Sequence, residues 1–168
     1  MDGVIGIVLN KSGKVLLIKR KDIPLWCLPG GDTERKESPE KAIAREMTEE
    51  TGLKIRAVRQ IGMGRRPDFE GRKAKGKHFL CQFFICRSNN HLPRKGDGVE
   101  SVGFWSTNKL PSALIRWHKE IITAAFNNNF KPVQVDMKLK KELVWLLFHP
   151  LILYRFIKLI VLKKGSST

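Results

Sequence analysis

Three glutamates, Glu46, Glu49 and Glu50, stand at i, i+3 and i+4 in a chain of formal net charge +16. On a helix that spacing puts all three carboxylates on one face. Like charges held so close repel one another, and each takes up a proton more readily unless a cation intervenes. A divalent ion removes that penalty. Dense, hard oxygen donors suit Mg2+ or Mn2+, and no cluster of Cys or His offers the softer ligands that zinc prefers. The plainer alternative is an acidic helix face that only solvates the protein or meets its basic body.

The helix that must carry these acids is well marked. Ser38 fits an N-cap, Pro39 the first turn, Glu40 the positive end of the helix dipole and Gly52 the C-terminal stop. Ile43, Ala44, Met47 and Thr51 share an arc expected to face the core, with Lys41 and Arg45 turned to solvent, away from the acids. Ahead of it, "GVIGIVLN" and "KVLLIKR" read as a hairpin around Lys11-Ser12-Gly13, and "LWCLP" as a short strand broken at Pro29-Gly30-Gly31. Behind it, "KIRAVRQIGMG", "HFLCQFFICR" and "ESVGFWS" read as strands. A second helix is expected over 112–126, with Ile115, His118, Ile121, Ile122 and Ala125 at core spacing. Strands interleaved with two helices predict an α/β (α+β) fold, a mixed sheet packed between helices.

The chain has 168 residues, 42% hydrophobic and 29% charged, which suits one globular domain with an appendage. Residues 31–53 hold seven acids against four bases, so the remainder stands at +19. A body so basic attracts polyanions, whether nucleotides, RNA or an acidic membrane surface, although a solvated basic surface has the same composition. Cys27, Cys81 and Cys86 are odd in number. Cys81 and Cys86, five apart on a strand, point to opposite faces and cannot pair. Reduced, buried thiols and the lack of a secretory signal after Met1-Asp2 lead us to expect a cytoplasmic protein. The four histidines form no ligand spacing, and no Ser/His/Asp set or glycine-rich phosphate loop is evident.

Gly31, Glu37 and the run Arg45-Glu46-Met47-Thr48-Glu49-Glu50-Thr51-Gly52-Leu53 resemble the Nudix box, G-x5-E-x7-R-E-U-x-E-E-x-G-U with U apolar, at every fixed position. A chance match to seven fixed letters in such a chain is on the order of one in ten million, which turns the balance against a merely acidic helix face. The resemblance extends over residues 1–130, through "LPGG" and "VGFWSTNKLP", and leaves 131–168 as a basic and apolar extension.

The resemblance implies a Nudix-type sheet between helices and a hydrolase. Such an enzyme cuts a pyrophosphate bond in a nucleoside diphosphate linked to another group, with a metal-activated water as nucleophile. It implies Glu46, Glu49, Glu50 and the carbonyl of Gly30 as metal ligands, and Glu37 with Arg45 as an orienting pair. The general base would be Glu46 or a distal acid, Asp97 or Glu100; Glu100 is preferred. Arg65, Arg66 and Lys73, with Arg72, Lys75 and Lys77, are candidate phosphate contacts, and Trp26, Phe69 or Trp105 a candidate base-stacking ring. Pro67, fifteen residues beyond Gly52, stands near where ADP-ribose-cleaving relatives carry a proline. Substrates of the ADP-ribose and (d)NTP types, oxidised ones included, both stay open. The alternative is a catalytically silent Nudix-like module binding nucleotide or RNA; the complete set of box glutamates weighs against it.

Residues 143–162 hold fourteen Leu, Ile, Val or Phe, interrupted by His149-Pro150, Arg155 and Lys158. Insertion of such a segment into a bilayer comes out near zero, so a spanning helix is marginal. With Lys138, Lys140 and Lys141 nearby, residues 138–164 suit an anionic membrane interface. Packing on the domain, or a homodimer contact, is the competing expectation.

Overall fold

The computed structural model describes residues 2–67, 78–88, 92–127, 133–136, 144 and 147–165. The apolar run "GVIGIV" forms β1 (Gly3–Val8), buried along its whole length because both of its faces are covered. Strands β2 (Val15–Arg20), β3 (Trp26–Cys27) and β4 (Gly30–Asp32) precede helix α1 (Pro39–Thr51). Strands β5 (Ile55–Pro67), β6 (His78–Ser88) and β7 (Val99–Trp105) lead to α2 (Arg116–Phe126), β8 (Val133–Asp136) and α3 (Pro150–Gly165). Five strands form a mixed sheet in the order β4-β1-β6-β5-β8, with β1·β6 and β5·β8 parallel. A smaller sheet, β3-β2-β7, is antiparallel.

Strand alternation sorts the core into two layers. Ile5, Ile7, Val15, Leu17, Cys81 and Phe83 pack towards Ile121 and Ile122 of α2. Val4, Val8, Leu16, Phe84 and Cys86 pack towards Ile43 and Met47 of α1. Cys81 and Cys86 thus lie in opposite layers, and all three cysteines are buried and outside any disulfide.

Several expectations need correction. The buried face of α1 is Ala42, Ile43, Met47 and Thr51, so Ala42 takes the place given to Ala44. Ile115 does not join the buried face of α2; it stands at the helix N-cap, half-buried. "LWCLP" yields only the two-residue β3, and the glycines expected as a break form β4, paired antiparallel with β1 through Gly3↔Asp32 and Ile5↔Gly30. The larger sheet also runs past residue 130, where β8 adds along β5 and Val135 enters the core.

His118 ties the core layer of α2 to the segment that leads into the glycine strand. It is 4% exposed, and its Nδ1 accepts a hydrogen bond from the Leu28 N–H at 2.8 Å, two residues ahead of Gly30. Burial, helped by the charge of Arg20, pushes its pKa down from 6.5 to about 3. The unfolded chain therefore protonates this imidazole below pH 6.5 while the folded chain does not. Its stabilisation is complete above pH 6.5 and falls by about 1.4 kcal/mol per pH unit between there and about pH 3. His118→Phe should lower stability at pH 7.5 by about 1–3 kcal/mol, because the Leu28 N–H loses its acceptor. That deficit should close near pH 5, as measured by urea midpoints at the two pH values. A deficit independent of pH would mean that the imidazole is not held neutral.

Candidate active site

Ser38 caps α1 by accepting from the Lys41 N–H at 3.4 Å, and Gly52 closes the helix in the left-handed conformation (φ 67°). Between these ends the acidic residues face β4. Glu46 lies directly over Gly31, where an added Cβ would stand 2.4 Å from its carboxylate, so a side chain there would push this carboxylate out of its present position. Glu50 Oε2 accepts from the Gly30 N–H at 2.9 Å. The two glycines before the helix thus form a backbone floor beneath two of the three acids.

Arg45 was expected in solvent, but the fold places it among the acids. Its guanidinium gives two hydrogen bonds to Glu37, at 3.1 and 3.0 Å, and one to the Asp32 carbonyl at 2.9 Å. Nη1 also reaches Glu46 Oε1 at 2.8 Å and Glu49 Oε2 at 3.2 Å. The side chain is 24% exposed, against 14% for Glu37, 15% for Glu46 and 49% for Glu49. Charge-assisted, forked contacts of this kind fix geometry as well as charge. Arg45 stands four residues before Glu49, so the helical period itself brings it to the edge of the acidic face, where its long side chain spans Glu46 and Glu49.

The carboxylates differ in proton affinity. The Arg45 guanidinium holds Glu37 below the usual carboxylate range. Burial pushes Glu46 up against the opposing pull of Arg45. Burial raises Glu50 furthest, to about 7, although the Gly30 N–H and the charge of Arg20 both favour its ionised form. Among the described residues Glu50 makes no ion pair. A half-buried carboxylate at this affinity, next to two more, is a donor set that a hard divalent cation would satisfy, so the residues fit such an ion. As the side chains stand, no three metal-ligating groups among the described residues close on one point; Arg45 Nη1 lies between Glu46 and Glu49.

The loop ahead of β7 is latched to the end of α1. The N–H groups of Arg94, Gly96 and Asp97 donate to the carbonyls of Thr51, Glu50 and Glu49, at 2.8, 3.0 and 3.2 Å. These are carbonyls that a helix end leaves without intrahelical partners. A Cβ on Gly96 would stand 1.7 Å from the Glu49 oxygen, so the latch requires glycine. Sequence reading missed this, and the only signal was the glycine itself.

Glu100 accepts from Lys19 Nζ at 2.7 Å, and that ammonium holds its pKa below the usual range. Arg20, on the same strand, is gripped by Asp22 through two hydrogen bonds, which raises its pKa, and its charge reaches Glu50. The sequence offered no sign of that reach. Arg65 is exposed on β5, paired with Leu80. Arg66 is described as a backbone position of β5, paired with Phe79. Lys73, Phe69, Arg72, Lys75 and Lys77 lie outside the described residues. Trp26 and Trp105 stack edge to face at 5.0 Å and pack against the core.

A mixed sheet between two helices, with an acidic helix face set over a glycine strand, defines the class. The NUDIX domain profile matches residues 1–125. A Bacillus subtilis (strain 168) protein, provisionally named an 8-oxo-dGTP diphosphatase, is 37% identical over 81% of this chain and 86% of its own. An ADP-ribose pyrophosphatase from Methanocaldococcus jannaschii is 35% identical over 68% of this chain and 67% of its own. The crystal structure of a MutT NUDIX hydrolase from Burkholderia pseudomallei superposes with a TM-score of 0.60 at 27% identity, covering 73% of this chain and 95% of that one. The chain belongs to the Nudix family, as a pyrophosphohydrolase.

Proposed function

We propose that the protein hydrolyses a pyrophosphate bond in a nucleoside triphosphate, an oxidised purine (d)NTP first among them, with Mg2+ as its metal and Mn2+ as a substitute. The observation that carries the metal requirement is Glu50, a half-buried carboxylate pushed up to about 7 beside Glu46. Glu46, Glu49, Glu50 and the Gly30 carbonyl would hold the ion, with Glu37 and Arg45 fixing the helix face that presents them. Bound there, a divalent ion offsets charge on the pyrophosphate oxygens and lowers the pKa of an attacking water.

The chain's own residues supply the rest. Glu46, whose proton affinity burial has raised, and Glu100, once free of Lys19, are the two carboxylates offered as proton acceptors. Arg65, Arg66 and Lys73 remain the proposed phosphate contacts. The longer match to the Bacillus subtilis relative supports the triphosphate reading. ADP-ribose is the second reading, favoured by the Methanocaldococcus relative and by Pro67 at the end of β5.

The test is a panel of oxidised and normal (d)NTPs, ADP-ribose and dinucleoside polyphosphates with Mg2+ or Mn2+, products being resolved by chromatography. One preferred substrate is expected, with turnover lowered about a hundredfold in Glu49→Gln. Full activity of that variant would reject the metal assignment. No turnover of any substrate would favour the binding-module reading. Unchanged turnover in Glu100→Gln would leave Glu46 as the base.

A further inference from the structure

We propose that α3 docks the enzyme onto an anionic lipid surface. The helix is anchored inward by Ile152, which is buried against Ile23, with Leu25, Ala113 and Leu153 packed around the pair. At 100° per residue, Tyr154, Ile157 and Lys158 lie about 160°, 140° and 120° from this anchor, with Leu151 at about 100° and Arg155 at about 60° on one edge of that face. All five are exposed. Ahead of the helix Val144, Leu147 and Phe148 are exposed as well, and with Leu151, Tyr154 and Ile157 these six large apolar residues are between 52% and 78% exposed. So many exposed large apolar side chains within one short stretch mark an interaction site.

Charge selects the occupant. Residues 143–168 contain Arg155, Lys158, Lys163 and Lys164 and no acid, within a chain of net charge +16. A second copy of this chain docked through the same face would bring two cationic surfaces together, with no carboxylate of this stretch between them. An anionic bilayer satisfies both components: apolar side chains enter the acyl boundary, while the long cationic side chains reach lipid phosphates. The helix would lie in the interface; among the described residues no helix is long and apolar enough to cross a membrane. Because Ile152 grips Ile23 and Ala113, the catalytic domain would be carried to the surface with it.

Vesicle flotation of the full chain tests this, using phosphatidylcholine alone and phosphatidylcholine with a minority of phosphatidylglycerol. Binding is expected only to the anionic vesicles and should weaken with salt. Leu151→Asp with Tyr154→Asp should weaken it about tenfold or more, and Lys158→Glu with Lys164→Glu similarly. Both double variants should keep full turnover of free nucleotide, which shows that they fold. Equal binding by the Leu151/Tyr154 variant and the parent would reduce the effect to adsorption of a basic protein and overturn the proposal. So would absence of binding, or a dimer in sedimentation velocity that the same substitutions dissociate.

Discussion

Glu50→Gln is expected to raise the thermal midpoint of the metal-free protein at pH 8 while lowering turnover with Mg2+ about a thousandfold or more. The two effects share one cause. The folded state holds this carboxyl at about 7, against 4.5 for a free glutamate, so folding favours its protonated form. Between pH 4.5 and 7 the folded protein binds more protons than the unfolded chain, and stability falls as pH rises through that window. Above it the folded state carries the full cost of a half-buried charge, of order 2 kcal/mol after allowance for residual exposure. The glutamine amide keeps an oxygen to accept from the Gly30 N–H, so relief of that cost should appear as about 4–8 °C at pH 8 and vanish near pH 4. A carboxylate lost from the divalent site removes several kcal/mol from the transition state, which sets the loss of turnover. Thermal scans in EDTA at both pH values, with steady-state kinetics in Mg2+, give both numbers. An unchanged or lower midpoint at pH 8 would contradict the burial reading of Glu50.

Arg45→Met should move stability the other way. Its guanidinium touches Glu37, Glu46, Glu49 and the Asp32 carbonyl, and it is the cation that this acidic face uses in the absence of a metal. Removing it leaves Glu37 and Glu46, both mostly buried, facing Glu49 without a counter-charge. A loss of about 2 kcal/mol, or about 4–8 °C, is expected in EDTA. Added Mg2+ should restore part of that loss, since an ion at the carboxylates replaces the missing charge. Turnover should fall about tenfold to a hundredfold, as expected for a residue that orients ligands without holding the ion. Arg45→Lys should recover charge but not the forked contacts to Glu37 and Asp32, and so should recover only part of the rate. If stability in EDTA is unchanged, Arg45 does not offset the acids. Opposite signs for Glu50→Gln and Arg45→Met separate a cost of burial from a loss of pairing within one cluster.

Local chemistry made much of the protein readable from its sequence. The extent of α1 follows from Ser38, Pro39 and Gly52, each acting through backbone groups a few residues away. The clustering of Glu46, Glu49 and Glu50 follows from helical period alone. The continuous apolar run of β1 announces a strand covered on both faces. The spacing of the box residues, from Gly31 to Leu53, identified the family before any coordinates, and the profile match agrees with it.

The remaining features arise from contacts between segments distant in sequence. Three residues, "GGD", carry no strand pattern, and β4 exists because β1 offers it hydrogen-bond partners. The pairing of Arg45 with Glu37 and the Asp32 carbonyl joins α1 to the segment before it, which a wheel drawn through the helix alone does not represent. The Leu28–His118 bond spans ninety residues, and the latch of Gly96 and Asp97 onto the end of α1 joins backbone groups that bear no sequence code. Which groups carry the chemistry is legible in the residues alone, because residue type and helical period are local properties. The tertiary structure decided which of those groups are buried, paired or free to titrate, because burial and charge pairing arise only when distant segments meet.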